Sequence, residues 1–176
     1  NDRANYGRFL ITGSHQFVLM KNLGDTLAGR IALLSLLPFS INEIKTSIGK
    51  KGYKSRDLFM DACLKGSFPE LRVRINMNVS VWYSAYVQTF LERDIRSIYN
   101  IGDLNVFQKF IKLLAARCSQ ILNMNSFSKE LGVSVNTVKS WISILEANNT
   151  IFLLYPFYNN FGKRIVKSPK VYFLDI

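Results

Sequence analysis

Between Ser126 and Asn148 the chain carries the pattern of two short amphipathic helices that meet at Gly132. Glycine adopts positive φ without steric cost, so the backbone can turn sharply at that point. Ser134 is placed to cap the second helix, because its hydroxyl can accept a hydrogen bond from an amide of the first turn. Spacings of three and four predict the buried side chains, which are Phe127, Leu131, Val138, Trp141, Ile142 and Leu145. The pattern predicts a helix-turn-helix.

The outer face of the second helix is the surface that would contact nucleic acid, since a recognition helix uses residues near its N-terminus for this purpose. The candidate DNA-binding residues on or beside that face are Ser134, Asn136, Thr137, Lys139 and Ser140. Lys139 is the one cation among them, and arginine is absent from the set. Direct base readout would therefore depend on Asn136 and Thr137.

The segments on either side extend the helix-turn-helix into a predicted winged helix. Before it, Asp103 can cap a helix over 104–118 whose core stripe includes Phe107, Phe110 and Leu114. After it, a strand is expected over 151–157, with Pro156 typical of a sheet edge, and return strands are expected over 163–166 and 171–174. Four cations fall on or near this wing and are candidate phosphate contacts: Lys163, Arg164, Lys167 and Lys170.

The charge of the chain favours a polyanionic partner. Its formal net charge is +11 with a pI near 9.8, while an apolar share of 48% is typical of a globular protein. From Asn105 onward, nine basic residues stand against three acidic ones. A basic surface of this kind around a helix-turn-helix favours nucleic acid, although solvation alone explains part of the excess.

Several functional classes are excluded by the residues that the sequence lacks. Cys63 and Cys118 lie far apart, His15 is the single histidine, and neither a zinc site nor a nucleophile–base pair can be assembled from them. We therefore expect no metal site and no enzyme on this chain alone, and two reduced thiols of an intracellular protein. The longest apolar run, 31–39, is too short to span a bilayer, so we expect no membrane partner and a cytoplasmic location.

The first hundred residues are predicted to form part of a β-sheet, followed by helices. Strands are predicted at 8–14 and 30–36, and helices at 16–23, 41–48, 55–64 and 78–100. Two strands are too few for a parallel sheet, so we expect the tail of a larger α/β domain. The predicted fold class is mostly α (α+β), with the remnant of a larger α/β domain at 1–38, a helical linker at 39–100 and a winged-helix domain at 101–176.

Seven motifs occur in an order that identifies a family resemblance. They are Phe9–Ser14, Leu27–Arg30, Leu37–Ser40, Gly66–Glu70, Trp82–Tyr83, Leu91–Ile95 and Lys167–Asp175. Together they resemble the prokaryotic AAA-type ATP-binding proteins of the archaeal-ATPase kind, which carry a C-terminal conserved domain of unknown function. The resemblance implies a P-loop ATPase domain first, of which residues 1–38 would be the C-terminal remnant. Helices and a winged helix would follow, with a domain similar to restriction endonucleases at the end.

Measured against that family plan, the chain lacks the phosphate loop and the magnesium-holding carboxylate. No Gly-x-x-x-x-Gly-Lys-Ser/Thr occurs in the sequence, and no acidic dipeptide follows an apolar strand before Arg8. We expect a middle piece of a longer protein, without cofactor or ATP hydrolysis of its own. The resemblance implies ATP and magnesium for the whole protein.

The resemblance also suggests two sites that would act on phosphate. Thr12 and Ser14 match a polar sensor of the γ-phosphate, with an ordinary end of a strand as the alternative. Arg30 matches a recurrent arginine that could stabilise transition-state charge as an arginine finger, and a structural ion pair is its alternative.

Two functions remain open from the sequence. In one, the winged helix is a DNA-binding regulatory segment of an ATPase. In the other, it is a module that couples the ATPase to the remaining domains of the protein or to another subunit, and self-association stays open as well. The aromatic residues that could fill such a protein interface are Phe152, Tyr155, Phe157, Tyr158 and Phe161.

Overall fold

The computed structural model describes residues 9–13, 32, 34–47, 54–74, 76–90, 101–159 and 167–175. The chain divides into two compact units, Asn1–Leu33 and Leu34–Ile176. In the first unit the described residues form neither helix nor strand, and the side chains of Phe9 and Leu10 are 88% and 87% exposed.

The second unit is dominated by helices, which confirms the predicted α-rich α+β class. The helices are α1 (Ile41–Ser47), α2 (Ser55–Lys65), α3 (Pro69–Val73), α4 (Val79–Thr89), α5 (Leu104–Ala116), α6 (Met124–Leu131) and α7 (Val135–Ala147). The strands are β1 (Ile151–Leu154) and β2 (Lys170–Phe173).

The main core lies between α5, α6, α7 and the two strands. Trp141 of α7 is 5% exposed, and its ring centroid lies 5.2 Å from those of Phe107 and Phe110 on α5. Phe110 also contacts Phe127 of α6, with 5.5 Å between the ring centroids. The stripe of apolar residues read from the sequence is therefore the surface by which the three helices pack.

Side chains at the helix starts fix where these helices begin. The Asp103 carboxylate accepts hydrogen bonds from the amides of Asn105 and Val106, and the Ser134 hydroxyl accepts one from the amide of Thr137. Each satisfies amide groups that have no partner within the helix. Both caps were predicted from the sequence.

The sheet pairs β1 and β2 in antiparallel register, with Ile151 opposite Phe173 and Leu154 opposite Lys170. A third extended segment lies at its other edge, because Ile121 forms an antiparallel bridge with Lys170. Around this bridge the amides of Ser119 and Leu122 donate to the carbonyls of Val171 and Pro169 over 2.7 and 2.8 Å. The segment between α5 and α6 thus joins the hairpin.

A second, smaller core lies in the helical segment before α5. Ile44 of α1 packs with Leu58 and Ala62 of α2. Ser40 and Glu43 form a reciprocal capping box at the start of α1, in which the Ser40 amide donates to the Glu43 carboxylate over 2.7 Å. These hydrogen bonds hold the pKa of Glu43 below its usual range.

Several predicted boundaries were wrong, each for a physical reason. The strand predicted over 151–157 ends at Leu154, because Pro156 has no amide hydrogen to continue the ladder. The helix predicted over 104–118 ends at Ala116, and the backbone turns away at Ser119 with φ of 68°. The return strand predicted over 171–174 covers Lys170–Phe173, while the one predicted over 163–166 lies outside the described residues.

The two strands predicted in the N-terminal part are also absent from the part of it that the structure describes. Residues 9–13 and 34–36 have no strand partner among the described residues, and Leu34 and Leu36 are almost fully exposed. An apolar run forms a strand only when another strand supplies its hydrogen bonds. The helix predicted over 16–23 and the second half of the one over 78–100 lie outside the described residues, and the described helix there is α4.

Candidate nucleic-acid interface

The turn between α6 and α7 fixes the angle at which the candidate recognition helix leaves the core. Gly132 has φ of 68°, in the left-handed region that glycine tolerates. The Val133 amide donates to the Ser128 carbonyl over 3.1 Å, and the Ser128 hydroxyl donates to the Val133 carbonyl over 2.6 Å. Ser128 therefore closes the turn from both sides, a role that the sequence did not reveal.

The first turn of α7 presents the predicted binding face to solvent. Asn136, Lys139 and Ser140 are exposed, whereas Thr137 is half-buried. The hydroxyls of Ser134 and Thr137 lie 2.8 Å apart in the cap. Of the five predicted contacts on this helix, two therefore have their polar groups engaged in the cap, and three project freely from the surface.

Arg117 lies just after α5, and its guanidinium contacts other groups of the protein. Its Nη2 lies 2.6 Å from the Glu130 carboxylate, its Nη1 donates to the Ser126 hydroxyl over 3.1 Å, and its Cζ lies 4.7 Å from the centroid of the Phe127 ring. The hydrogen bonds from Arg117 and Ser126 lower the pKa of Glu130. This network ties α6 to the end of α5. The spacing of four between Ser126 and Glu130 was a local signal that could have revealed part of it.

The four cations predicted on or near a wing are only partly described. Lys167 and Lys170 are exposed, and Lys170 lies in β2 between Ile121 and Leu154. Lys163 and Arg164 lie outside the described residues. No hydrogen bond or ion pair joins Lys167 or Lys170 to the described part of α7, so these lysines form a group separate from Asn136 and Lys139.

The residues suggested for phosphate chemistry do not form a described site. Thr12 is exposed in a segment without regular structure, whereas Ser14 and Arg30 lie outside the described residues. Within the described ranges, no group of three or more His, Cys, Asp or Glu residues could hold a metal ion. No helix in those ranges is both long enough and apolar enough to cross a membrane.

A buried arginine organises the loop between α2 and α3, which sequence reasoning missed. The Arg72 guanidinium donates to the Asp61 carboxylate over 2.6 Å and to the carbonyl of Gly66. Lys65 approaches the other oxygen of Asp61 at 2.9 Å. Burial alone would raise the pKa of Asp61, but the hydrogen bonds from Lys65 and Arg72 outweigh it, so the pKa is lowered.

The same loop is tied to the far end of the chain. The amide of Ser67 donates to both carboxylate oxygens of Asp175, each over 2.9 Å, across 108 residues of sequence. Next to it Phe68 packs against both Trp82 and Tyr86 of α4, with 5.0 Å between its centroid and each of theirs. Burial and then the charge of Asp175 raise the pKa of Tyr83 in this cluster. The loop thus links α4 to the residues that follow β2.

Comparison with known proteins gives two family matches. Residues 56–176 match a family described as a domain of unknown function (DUF8612), and residues 1–45 match an AAA domain. The AAA match agrees with the AAA-like character inferred from the sequence motifs. No solved structure matches the chain at a significant level.

Three curated relatives cover nearly all of the chain. Uncharacterized proteins of Mycobacterium bovis and Mycobacterium tuberculosis are each 27% identical over 169 residues, which cover 96% of this chain and 36% of each relative. An uncharacterized protein of Haemophilus influenzae is 23% identical over 175 residues, which cover 94% of this chain and 43% of the relative. The chain therefore spans well under half the length of these relatives.

Proposed function

The chain belongs to the family described as a domain of unknown function (DUF8612), and we propose that its residues 101–176 form a winged helix that binds duplex DNA through the phosphates. The AAA match at residues 1–45 supports a wider proposal, in which this module serves an AAA-type ATPase that uses ATP and magnesium. The module would be its regulatory segment.

The observation that carries the proposal is the order and pairing of the elements. Helix α5 is followed by an extended segment at Ile121, the helix pair α6 and α7, and the hairpin β1–β2, and Ile121 pairs with β2. This arrangement of three helices and a small sheet would present α7 as a recognition helix beside a wing. The exposed first turn of α7, with Asn136, Lys139 and Ser140, supplies the surface that would enter a groove.

The distribution of cations argues for binding that depends little on base sequence. Lys139 is the one cation on the predicted face of α7, and Arg117 is held by Glu130. The four cations on or near the predicted wing would neutralise phosphates rather than read bases. We therefore expect weak binding that falls steeply as salt concentration rises.

A titration of duplex DNA at low and moderate salt tests the proposal. Changing Lys163 and Arg164 together to Gln should reduce the slope of log affinity against log salt by about 2 units, because each phosphate contact contributes about one. The matched control changes Lys45 and Lys54 to Gln; both are exposed and lie before residue 101. Changing Asn136 and Thr137 to Ala should affect random duplexes little.

The two charge-neutralised variants carry the same net charge, so a general electrostatic effect would lower both slopes equally. An equal decrease would contradict the proposed contact surface. Absence of duplex binding even at low salt would remove the DNA function altogether.

A second candidate, coupling between domains, is favoured by the tie between Ser67 and Asp175. Phe90, at the end of α4, also belongs to the main core with residues of α5 to β2. A displacement of the helices before residue 101 would therefore shift the proposed winged helix, and a displacement of the winged helix would shift those helices. Such a module could transmit the nucleotide state of an ATPase without contacting DNA.

A further inference from the structure

The sheet has a second face that the main core does not use. Ile151 and Val171 point into the core and are each 1% exposed. Because successive residues of a strand point to opposite faces, their neighbours Phe152 and Tyr172 point outward. These two are directly opposite each other in the register, and their rings stack with centroids 5.5 Å apart at 24°.

The next row of the same outer face contains Ile121, Lys170 and Leu154, which are opposite one another across three extended segments. Ile121 is 65% and Leu154 48% exposed, and Phe152 in the neighbouring row is 40% exposed. A soluble sheet normally carries polar residues on its outward face. The outer face here, defined as Ile121, Phe152, Leu154, Lys170 and Tyr172, is instead a ring stack and two aliphatic side chains around one lysine.

We propose that this outer face binds single-stranded nucleic acid. An unpaired base would extend the stack of Phe152 and Tyr172, as bases do on the aromatic residues of many single-strand-binding proteins. Lys170 lies two residues from Tyr172, about 6.6 Å along the strand. Its flexible side chain can therefore reach the phosphate next to a base that stacks on Tyr172.

The charge around the outer face selects nucleic acid over a protein partner. Among the described residues from Ala147 to Leu174, Lys167 and Lys170 are the cations, and none is Asp or Glu. Lys167, two residues before Pro169, is exposed beside the same strand. A protein interface buries aromatic residues in a core that is depleted of charge, whereas Lys170 lies within this surface. A single strand of nucleic acid offers phosphates for the lysines and unpaired bases for the aromatic rings, so it matches both the charge and the aromatic character of this face.

This site shares Lys170 with the proposed duplex-binding surface, but it uses neither the first turn of α7 nor base pairs. In a duplex the bases already stack on one another and cannot extend the stack on the sheet. Loss of one activity therefore need not remove the other. Changing Lys139 to Gln should weaken duplex binding and leave single-strand binding unchanged.

The test is fluorescence anisotropy of a labelled oligothymidylate with the 176-residue chain at low salt. Changing Phe152 and Tyr172 together to Leu keeps the face apolar and the strands intact while removing both aromatic rings. This variant should bind at least about ten-fold more weakly, since stacking is the main sequence-tolerant contribution per base. The conservative exchange of Phe152→Tyr with Tyr172→Phe retains two rings and should bind like the original chain. Thermal unfolding followed by circular dichroism verifies that both variants fold.

The contribution of the Lys170 charge can be measured separately, from the dependence of single-strand affinity on salt concentration. Lys170→Gln should lower the slope of log affinity against log salt by about 0.7, the value for one phosphate contact on a single strand. Lys112→Gln, at an exposed position of α5, is the matched control and should leave the slope unchanged.

Three results would overturn the proposal. The first is absence of oligothymidylate binding at low salt, and the second is equal binding by the double Leu variant. The third is a self-association, seen in sedimentation, that the variants weaken while no oligonucleotide binds, which would make the outer face a protein interface.

Discussion

At the scale of single residues, Trp141 is the side chain on which the most packing depends. Its indole is 5% exposed and contacts Phe107 and Phe110, so Trp141→Ala would leave a large cavity between α5 and α7. We expect the free energy of unfolding to fall by about 3–5 kcal/mol, the usual range for truncating a large core aromatic residue. Urea denaturation measures it. Phe59→Ala, which removes a side chain that is 56% exposed, is the control and should change the value little.

Asp61 gives the protein a predictable dependence on acid. Its pKa is lowered in the folded state, so the stabilisation from its pairing with Arg72 is present above the unfolded-state pKa of about 4 and is lost as the pH falls through the lower folded-state value. Asp61→Asn should destabilise the protein at pH 6, because it leaves the buried Arg72 without its counter-charge. The difference in unfolding free energy between the two proteins should shrink between pH 5 and pH 3. A constant difference would mean that the pair does not stabilise the fold.

At the scale of helices and strands, what could be predicted was local. Asp103, Ser134 and Gly132 act on amides and dihedral angles within a few residues, so the sequence alone indicates their roles. Strand partners and buried ion pairs depend on residues brought together by the fold. The bridge at Ile121 and the hydrogen bond from Arg72 to Gly66 were missed for this reason. At the candidate interface, the exposed face of α7 could be predicted from the sequence, whereas the contacts of Arg117 with Glu130 and Ser126 could not.

The tie between Asp175, which follows β2, and the loop after α2 can be tested with the two tryptophans, Trp82 in α4 and Trp141 in α7. Asp175→Ala removes the carboxylate that accepts from the Ser67 amide, and should lower the free energy of unfolding by about 1.5–3 kcal/mol, the range for a hydrogen bond to a charged group. Single-tryptophan variants carrying Phe at the other position follow each region by fluorescence. With Asp175 present, we expect the urea transitions reported by Trp82 and by Trp141 to coincide. When Asp175→Ala is added to each single-tryptophan variant, we expect the two transitions to separate.

Glu146→Ala, at an exposed position near the end of α7, is the matched control and should leave the two transitions together. Coincident transitions in the Asp175→Ala variant would mean that the tie does not couple the two regions. The coupling function would then lose its main support.

At the scale of the whole molecule, the question is whether this chain can use ATP. Its first 45 residues match an AAA domain, yet its sequence contains no Gly-x-x-x-x-Gly-Lys-Ser/Thr to hold the β- and γ-phosphates. A residue such as Arg30 could stabilise transition-state charge only on a nucleotide that is already held by such a loop. We therefore expect the isolated chain to release no phosphate from magnesium–ATP above background in a steady-state assay. Phosphate release that persists through repurification and is abolished by Arg30→Ala would contradict this expectation, and would require a different phosphate-binding mode.

In a longer relative with a phosphate loop, changing the arginine that aligns with Arg30 should slow turnover and leave nucleotide affinity nearly unchanged, because a contact made only in the transition state does not contribute to ground-state binding. Equal losses in both quantities would instead assign that arginine a structural role.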